Sequence, residues 1–215
     1  MSAVDSPASD ATPTTHDWQT YPDLVIPPIL AAALEHFHQR GYHGTSVRSI
    51  ATGVDLTMPT LYYHYGNKEG ILYALLKIAL DDIQLHMDLC LEDAGDDTLK
   101  GFKNLVTSVA LHYTNRRDLA MLHAESRFLG PDFRAQYVTR RRIVEDKMED
   151  LLTKGIAEGI FADKDPHFTT RVLLGMLAGI LDWYKSGGPL SAAEIAERYM
   201  RSAVLIVSRA DSAIA

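Results

Sequence analysis

From Pro27 to about Arg209 the apolar residues of this chain recur at helical spacing, and no stretch sustains the period-two alternation of a half-buried strand. Packed helices are therefore the expected architecture. Pro27 and Pro28 suit a first helical turn, where a missing N–H costs nothing. Ile29, Leu30, Ala33, Leu34 and Phe37 then form one apolar face, and Gly41 ends the helix. Thr45 or Ser46 caps a short helix carrying Val47, Ile50 and Ala51; residues 53–56 make a turn; Thr57 caps a second short helix to about His64. Asn67 opens a long helix to about Leu91, and further helices are expected over about 98–114, 118–127, 132–158 and 166–185. Ser191 and Glu194 form a capping box for the last one. The expectation is an all-α protein of about nine helices. It has a disordered tail (1–23), an N-terminal helix-turn-helix domain (24–72) and a larger C-terminal helical domain (73–215).

Composition narrows the class of protein. A single cysteine, Cys90, excludes an internal disulfide and fits a reducing compartment. The longest apolar runs, 172–181 and 203–207, are too short to span a bilayer, and the N-terminus has no basic stretch followed by an apolar one. A cytoplasmic protein without a membrane partner is expected. The formal charge of −7 argues against nucleic acid, because phosphate contacts need Lys and Arg, so local chemistry has to supply them.

Two short capped helices joined by a tight turn and flanked by longer apolar helices describe a helix-turn-helix, whose second helix enters the major groove. Here that helix offers Thr57, Met58, Pro59, Thr60, Tyr62, Tyr63 and His64, with Leu61 as the inward anchor. Hydroxyls and imidazole donate to phosphate oxygens, and Thr and Pro lie against thymine methyls. Lys68 and the free N–H groups of the next helix are placed to grip a phosphate.

The runs 41–51 (GYHGTSVRSIA) and 59–69 (PTLYYHYGNKE), with the spacing from Ile50 to Leu61, resemble the DNA-binding signature of TetR-type regulators. That resemblance implies a dimeric regulator of double-stranded operator DNA, with 24–72 as the DNA-binding domain and 73–215 as the ligand-binding and dimerisation domain. It puts Arg48, Thr57, Met58, Pro59 and Thr60 near bases and Thr45, Tyr62, Tyr63, His64 and Lys68 near phosphates. Two departures stand out. The stretch before the first helix, 21–28, carries no basic residue, which predicts a shallow salt dependence. Asp55 occupies the turn position usually held by glycine, a place where aspartate tolerates left-handed backbone.

In the larger half no nucleophile, base and orienting acid occur at recognisable spacing, and no two histidines pair at i, i+4 in the manner of a zinc helix. No enzyme activity, cofactor or metal site is expected. Gly175, Ala178 and Gly179 would let another helix approach closely, and Ile195, Tyr199, Ala203 and Ile206 offer a face on the last helix; in TetR-type proteins such helices build the homodimer. Candidate ligand-binding residues are Phe102, Met121, Phe128, Tyr137, Leu177 and Trp183 as apolar lining, with Arg134 and Arg141 for an anionic head, since guanidinium suits phosphate and carboxylate. Residues 155–161, 182–190 and 193–196 resemble the C-terminal half of TetR-type regulators of fatty-acid and steroid breakdown, which implies an acyl-CoA thioester as the small-molecule effector and a repressor released by it. The competing reading is a ligand sensor that docks a protein through its tyrosine-rich helix, which the negative charge favours.

Overall fold

Helix caps set the element boundaries in the computed structural model of this chain, which describes residues 17–52, 54, 58–162 and 165–208. In order come α1 (Pro28–Gly44), α2 (Val47–Thr52), α3 (Met58–Tyr65), α4 (Lys68–Ala94), α5 (Thr98–Asn115), α6 (Arg117–Met121), a 3-10 segment (Leu122–Phe128), α7 (Pro131–Ala157), α8 (Pro166–Ala178), α9 (Ile180–Trp183) and α10 (Ala192–Val207). Gly179 keeps helical angles (φ −57°, ψ −20°) between α8 and α9, so these two form a single rod. With α6 running into the 3-10 segment, the described residues form nine rods and no strand.

The caps satisfy backbone donors that a helix start leaves open, each worth about 1 kcal/mol. Asn67 accepts from the Gly70 N–H at 2.9 Å, Asp97 from Lys100 at 2.9 Å and Asp165 from Phe168 at 2.9 Å. Ser191 and Glu194 make both bonds of the capping box. At α2 the cap is Ser46, whose Oγ accepts from the Ser49 N–H at 3.0 Å. Asp118 does not cap the helix after α5. Arg116 alone separates α5 from α6, so the helix restarts at Arg117 with Asp118 already in its first turn.

Two glycines shape the N-terminal unit. Gly41 sits at φ 68°, in the left-handed region, and turns the end of α1 toward α2. Gly70 lets the first turn of α4 press on the end of α3, because a Cβ there would lie 1.9 Å from the Tyr65 carbonyl oxygen. Around them Ile29, Leu30, Ala33, Phe37, Ile50 and Leu61 are buried in the core.

In the larger unit α5 packs against both α4 and α10, and α7 packs against α4 and α8. The first part of the chain corrects the expected tail. Among residues 1–23, those from 17 onward are ordered against the larger unit, and 1–16 lie outside the described residues. Trp18 is buried, and its carbonyl oxygen is 2.8 Å from His86 Nδ1. The Tyr21 ring stacks on His86 at 3.9 Å, and its hydroxyl donates to the Ser108 carbonyl at 3.1 Å. Arg116 donates to the Pro22 carbonyl and, at 3.3 Å, to Asp82. Two large aromatics in a Ser/Pro-rich stretch supply the apolar area that holds the segment down.

Candidate nucleic-acid interface and ligand cavity

Leu61 is fully buried and anchors α3, as the sequence pattern predicts, which turns the aromatic side of that helix outward. Tyr62 is 49% and Tyr63 86% exposed, and His64, Pro59 and Arg48 are exposed with them. Bulky apolar rings left in water on a short helix are a costly arrangement for packing and a suitable one for contacting a partner. Met58 and Thr60 are half-buried, and Thr57 and Asp55 lie outside the described residues. Over residues 24–72, Arg40, Arg48 and Lys68 balance Glu35, Asp55 and Glu69, and four histidines add to them. The negative charge of the chain is therefore concentrated elsewhere.

Two of the expected phosphate contacts have structural duties instead. Thr45 is 2% exposed, and its hydroxyl lies within hydrogen-bond distance of the His36 and Gly41 carbonyl oxygens, at 3.0 and 2.9 Å. It ties the link before α2 back onto the last turns of α1, and its hydroxyl proton is taken up there. Lys68 Nζ donates to the Tyr42 and Thr45 carbonyls at 2.8 and 2.9 Å and sits 4.2 Å above the Tyr42 ring. Its partial burial shifts its pKa downward. The ammonium thus braces the helix-turn-helix from inside.

This unit joins the larger one through aromatic contacts. The Phe128 ring, at the end of the 3-10 segment, stacks on Tyr42 at 5.2 Å and meets His43 edge-on at 4.3 Å. Glu69, in the first turn of α4, accepts the Gly130 N–H at 3.0 Å, and Tyr73 packs on Phe133 at 5.1 Å. Both ends of the reader therefore touch residues 128–133.

A cavity of about 420 Å³ lies among α4, α5, the 3-10 segment, α7, α8 and α9. Leu80, Ile83, Val144 and Leu174 give it apolar walls, and Tyr113, His123, Arg141 and Thr170 bring polar groups to it. A few polar groups in an apolar pocket between helices is the usual form of a small-molecule site. His123 Nδ1 lies 3.0 Å from the Tyr137 hydroxyl. Burial drives the His123 pKa down to about 3, keeping the ring neutral, and raises that of Tyr113 to about 12. A second cleft of about 760 Å³ runs between the N-terminal segment and α5–α6, but its arginines serve the fold: Arg116 holds Asp82, and Arg117 donates to the Leu181 carbonyl.

Of the expected ligand residues, Arg141 lines the cavity and Tyr137 supports it through His123. The other six lie elsewhere. Phe102 and Leu177 are buried in the core, with Phe102 5.0 Å from the Phe161 ring. Phe128 belongs to the junction just described. Met121 and Arg134 lie outside the lining, and Arg134 donates to the Ser126 carbonyl at 3.4 Å. Trp183 is 48% exposed and stacks on Tyr199, its Nε1 donating to that hydroxyl at 3.3 Å. On α10, Ile195 and Ala203 turn inward and are buried, while Leu205 and Ile206 are exposed, as are Phe168 and Val172 on α8. Sequence reasoning missed Tyr113, His123 and Thr170; the Thr-Thr pair ahead of the apolar run of α8 was the one local signal.

Residues 97–207 match the family described as tetracyclin repressor-like, C-terminal domain, and residues 29–75 match that of bacterial regulatory proteins, tetR family. The chain belongs to the TetR family. This TetR regulator is thus a DNA-binding transcription factor and not an enzyme, and its α2–α3 pair is the family's helix-turn-helix. The chain is 29% identical over 177 residues to the transcriptional repressor KstR2 of Mycobacterium tuberculosis H37Rv, covering 80% of this chain and 86% of that protein. Among solved structures, a tetR-family regulatory protein from Rhodococcus RHA1 superposes with a TM-score of 0.77 at 26% identity, over 86% of this chain and 97% of that one. AibR in complex with isovaleryl coenzyme A and operator DNA gives 0.68 at 25% identity, over 83% and 95%. No helix of the described residues is long and apolar enough to cross a membrane.

Proposed function

We propose that this TetR regulator is a cytoplasmic homodimeric repressor, released from its operator when an acyl-CoA thioester enters the α4–α8 cavity. The observation that carries the reading is continuity between cavity and reader. His123 lines the cavity, and five residues later in the same 3-10 segment Phe128 stacks on Tyr42 of the helix-turn-helix. A 3-10 run of seven residues is longer than this geometry usually sustains, and such runs often mark hinges. A ligand that displaces His123 would move Phe128 and Gly130 against Tyr42 and Glu69. It favours the released state only by the amount it binds that state more tightly.

Arg48, Pro59, Tyr62, Tyr63 and His64 form the outward face toward DNA, with Thr60 at its edge. The exposed Phe168, Val172, Trp183, Leu205 and Ile206 support a second copy as the partner of α8–α10. The thioester class is supported by the AibR complex and by the guanidinium groups of Arg141 and Arg171 among the lining residues. The test is binding of the purified protein to DNA flanking its own gene, with and without a panel of acyl-CoA thioesters. Specific retention released by one thioester is expected. Retention that no thioester disturbs overturns the effector class, and no retention at all points to a protein partner instead of DNA.

A further inference from the structure

Thr170 is 2% exposed, lines the cavity from α8, and its hydroxyl has no hydrogen-bond partner within the protein. Buried hydroxyls are almost always paired, because leaving one unmade forfeits its interaction with water. Tyr113 and His123, the other polar groups that are not exposed and carry no formal charge, share the lining with it, whereas the charged lining residues Arg141, Glu145 and Arg171 stand toward the rim. Tyr113 keeps its proton, and His123 is neutral; when Tyr137 donates to Nδ1, the opposite ring nitrogen carries the imidazole proton. The cations stand at the surface instead. Arg141 and Arg171 are exposed lining residues, and Arg141 is paired at 3.1 Å with Glu145.

We infer that the part of the effector buried in this cavity carries an uncharged oxygen, a carbonyl or hydroxyl, that is recognised by the Thr170 hydroxyl. A carboxylate placed beside Thr170 would be desolvated with no buried cation to pair with, which is strongly unfavourable. A plain hydrocarbon would leave the Thr170 hydroxyl unsatisfied. The inference rests on the cavity being the effector site, and it leaves two sources for the oxygen: the thioester carbonyl itself, or a keto or hydroxy group further along the acyl chain.

The experiment compares S-octyl-CoA, which has neither oxygen, octanoyl-CoA, which has the thioester carbonyl, and 7-oxo-octanoyl-CoA, which has both. Affinities are measured by calorimetry on the parent, Thr170→Val and Thr170→Ser proteins. At least one oxygenated ligand is expected to bind the parent about five- to tenfold more tightly than S-octyl-CoA. Thr170→Val removes that preference and Thr170→Ser keeps it, while the melting temperature of unliganded Thr170→Val is no lower than that of the parent. A preference for octanoyl-CoA assigns the oxygen to the thioester, and one confined to 7-oxo-octanoyl-CoA assigns it to the chain. Equal binding of all three, or a preference that survives Thr170→Val, overturns the inference and leaves the thioester reading standing. If none of the three binds, the thioester reading fails, and 2-heptanone and heptane are compared by thermal shift. A larger shift from the ketone that depends on Thr170 then upholds the inference, and equal shifts overturn it.

Discussion

The rings of Phe128 and Tyr42 lie 5.2 Å apart and within 8° of parallel, joining the end of the 3-10 segment to the end of α1. In the proposed mechanism this stack, beside the Glu69–Gly130 hydrogen bond, is a contact through which the cavity acts on the reader. Phe128→Ala is expected to leave operator binding of the unliganded protein within about threefold. It should reduce the coupling between thioester and operator, ordinarily about 1–3 kcal/mol in such systems, by at least half. Operator dissociation constants measured with and without the releasing thioester check this. Unchanged coupling would place the transmission in α4 alone.

Lys68 separates two accounts of the same residue. If its ammonium gripped a phosphate, Lys68→Ala would lower the slope of affinity against salt by about one ion. Its bonds to the Tyr42 and Thr45 carbonyls predict a different result. Lys68→Ala should destabilise the protein by about 1–3 kcal/mol, and operator affinity should fall by a similar factor at every salt concentration with the slope unchanged. Denaturant unfolding together with a salt series decides between them.

The N-terminal segment is expected to matter for stability. Trp18 is buried against the larger unit, and removing a packed Trp side chain costs about 3–5 kcal/mol. Trp18→Ala should lower the melting temperature by several degrees. A truncation ending before Asp17 keeps the contacts of Trp18 and Tyr21 with His86 and Ser108, and should lower the melting temperature less than Trp18→Ala does.

Acid should weaken the fold in two stages. Buried His112 and half-buried His123 have pKa values below the ordinary histidine range, His123 at about 3. An unfolded chain protonates both near pH 6.5, so stability present above that pH is lost progressively as the pH falls toward 3. Burial works against the charge of Asp82, but the hydrogen bond with His112 and the Arg116 guanidinium outweigh it and hold its carboxyl below the usual range. Its contribution is present above about pH 4 and is lost only below that. Melting curves from pH 7.5 to 4 should therefore decline from about pH 6.5, and His123→Gln should flatten the decline. A curve level down to pH 5 would show that these rings are not buried neutral.

The α8–α10 surface should be the dimer contact. Leu205→Glu with Phe168→Glu places charge on two exposed apolar positions. In sedimentation the double variant is expected to run as a monomer while keeping its helical circular dichroism, and to lose operator affinity by more than a hundredfold, since one reader grips a single half-site. A variant that remains dimeric would move the interface to another face.

Helix boundaries and the reader were legible in the sequence because their determinants are local. A cap acts within three residues, and the Ile50–Leu61 spacing lies inside one supersecondary unit. Only the tertiary structure decided which residues face the cavity. Leu80, Tyr113, His123, Arg141 and Thr170 come from five separate elements, and periodicity marks the inward face of each helix without telling a residue that meets a void from one that meets a neighbour. Phe102 and Leu177 fell on the second side of that distinction. The duties of Lys68 and Thr45 were equally invisible: the turn at Gly41 brings the His36 and Gly41 carbonyls to the Thr45 hydroxyl, and the Tyr42 and Thr45 carbonyls meet Lys68 only once α1 and α4 have packed. Trp18 and Tyr21 gave a polar, aperiodic segment its place for the same reason: Trp18 meets His86, 68 residues on, and Tyr21 meets Ser108, 87 residues on, and long-range packing of a large ring overrides local composition.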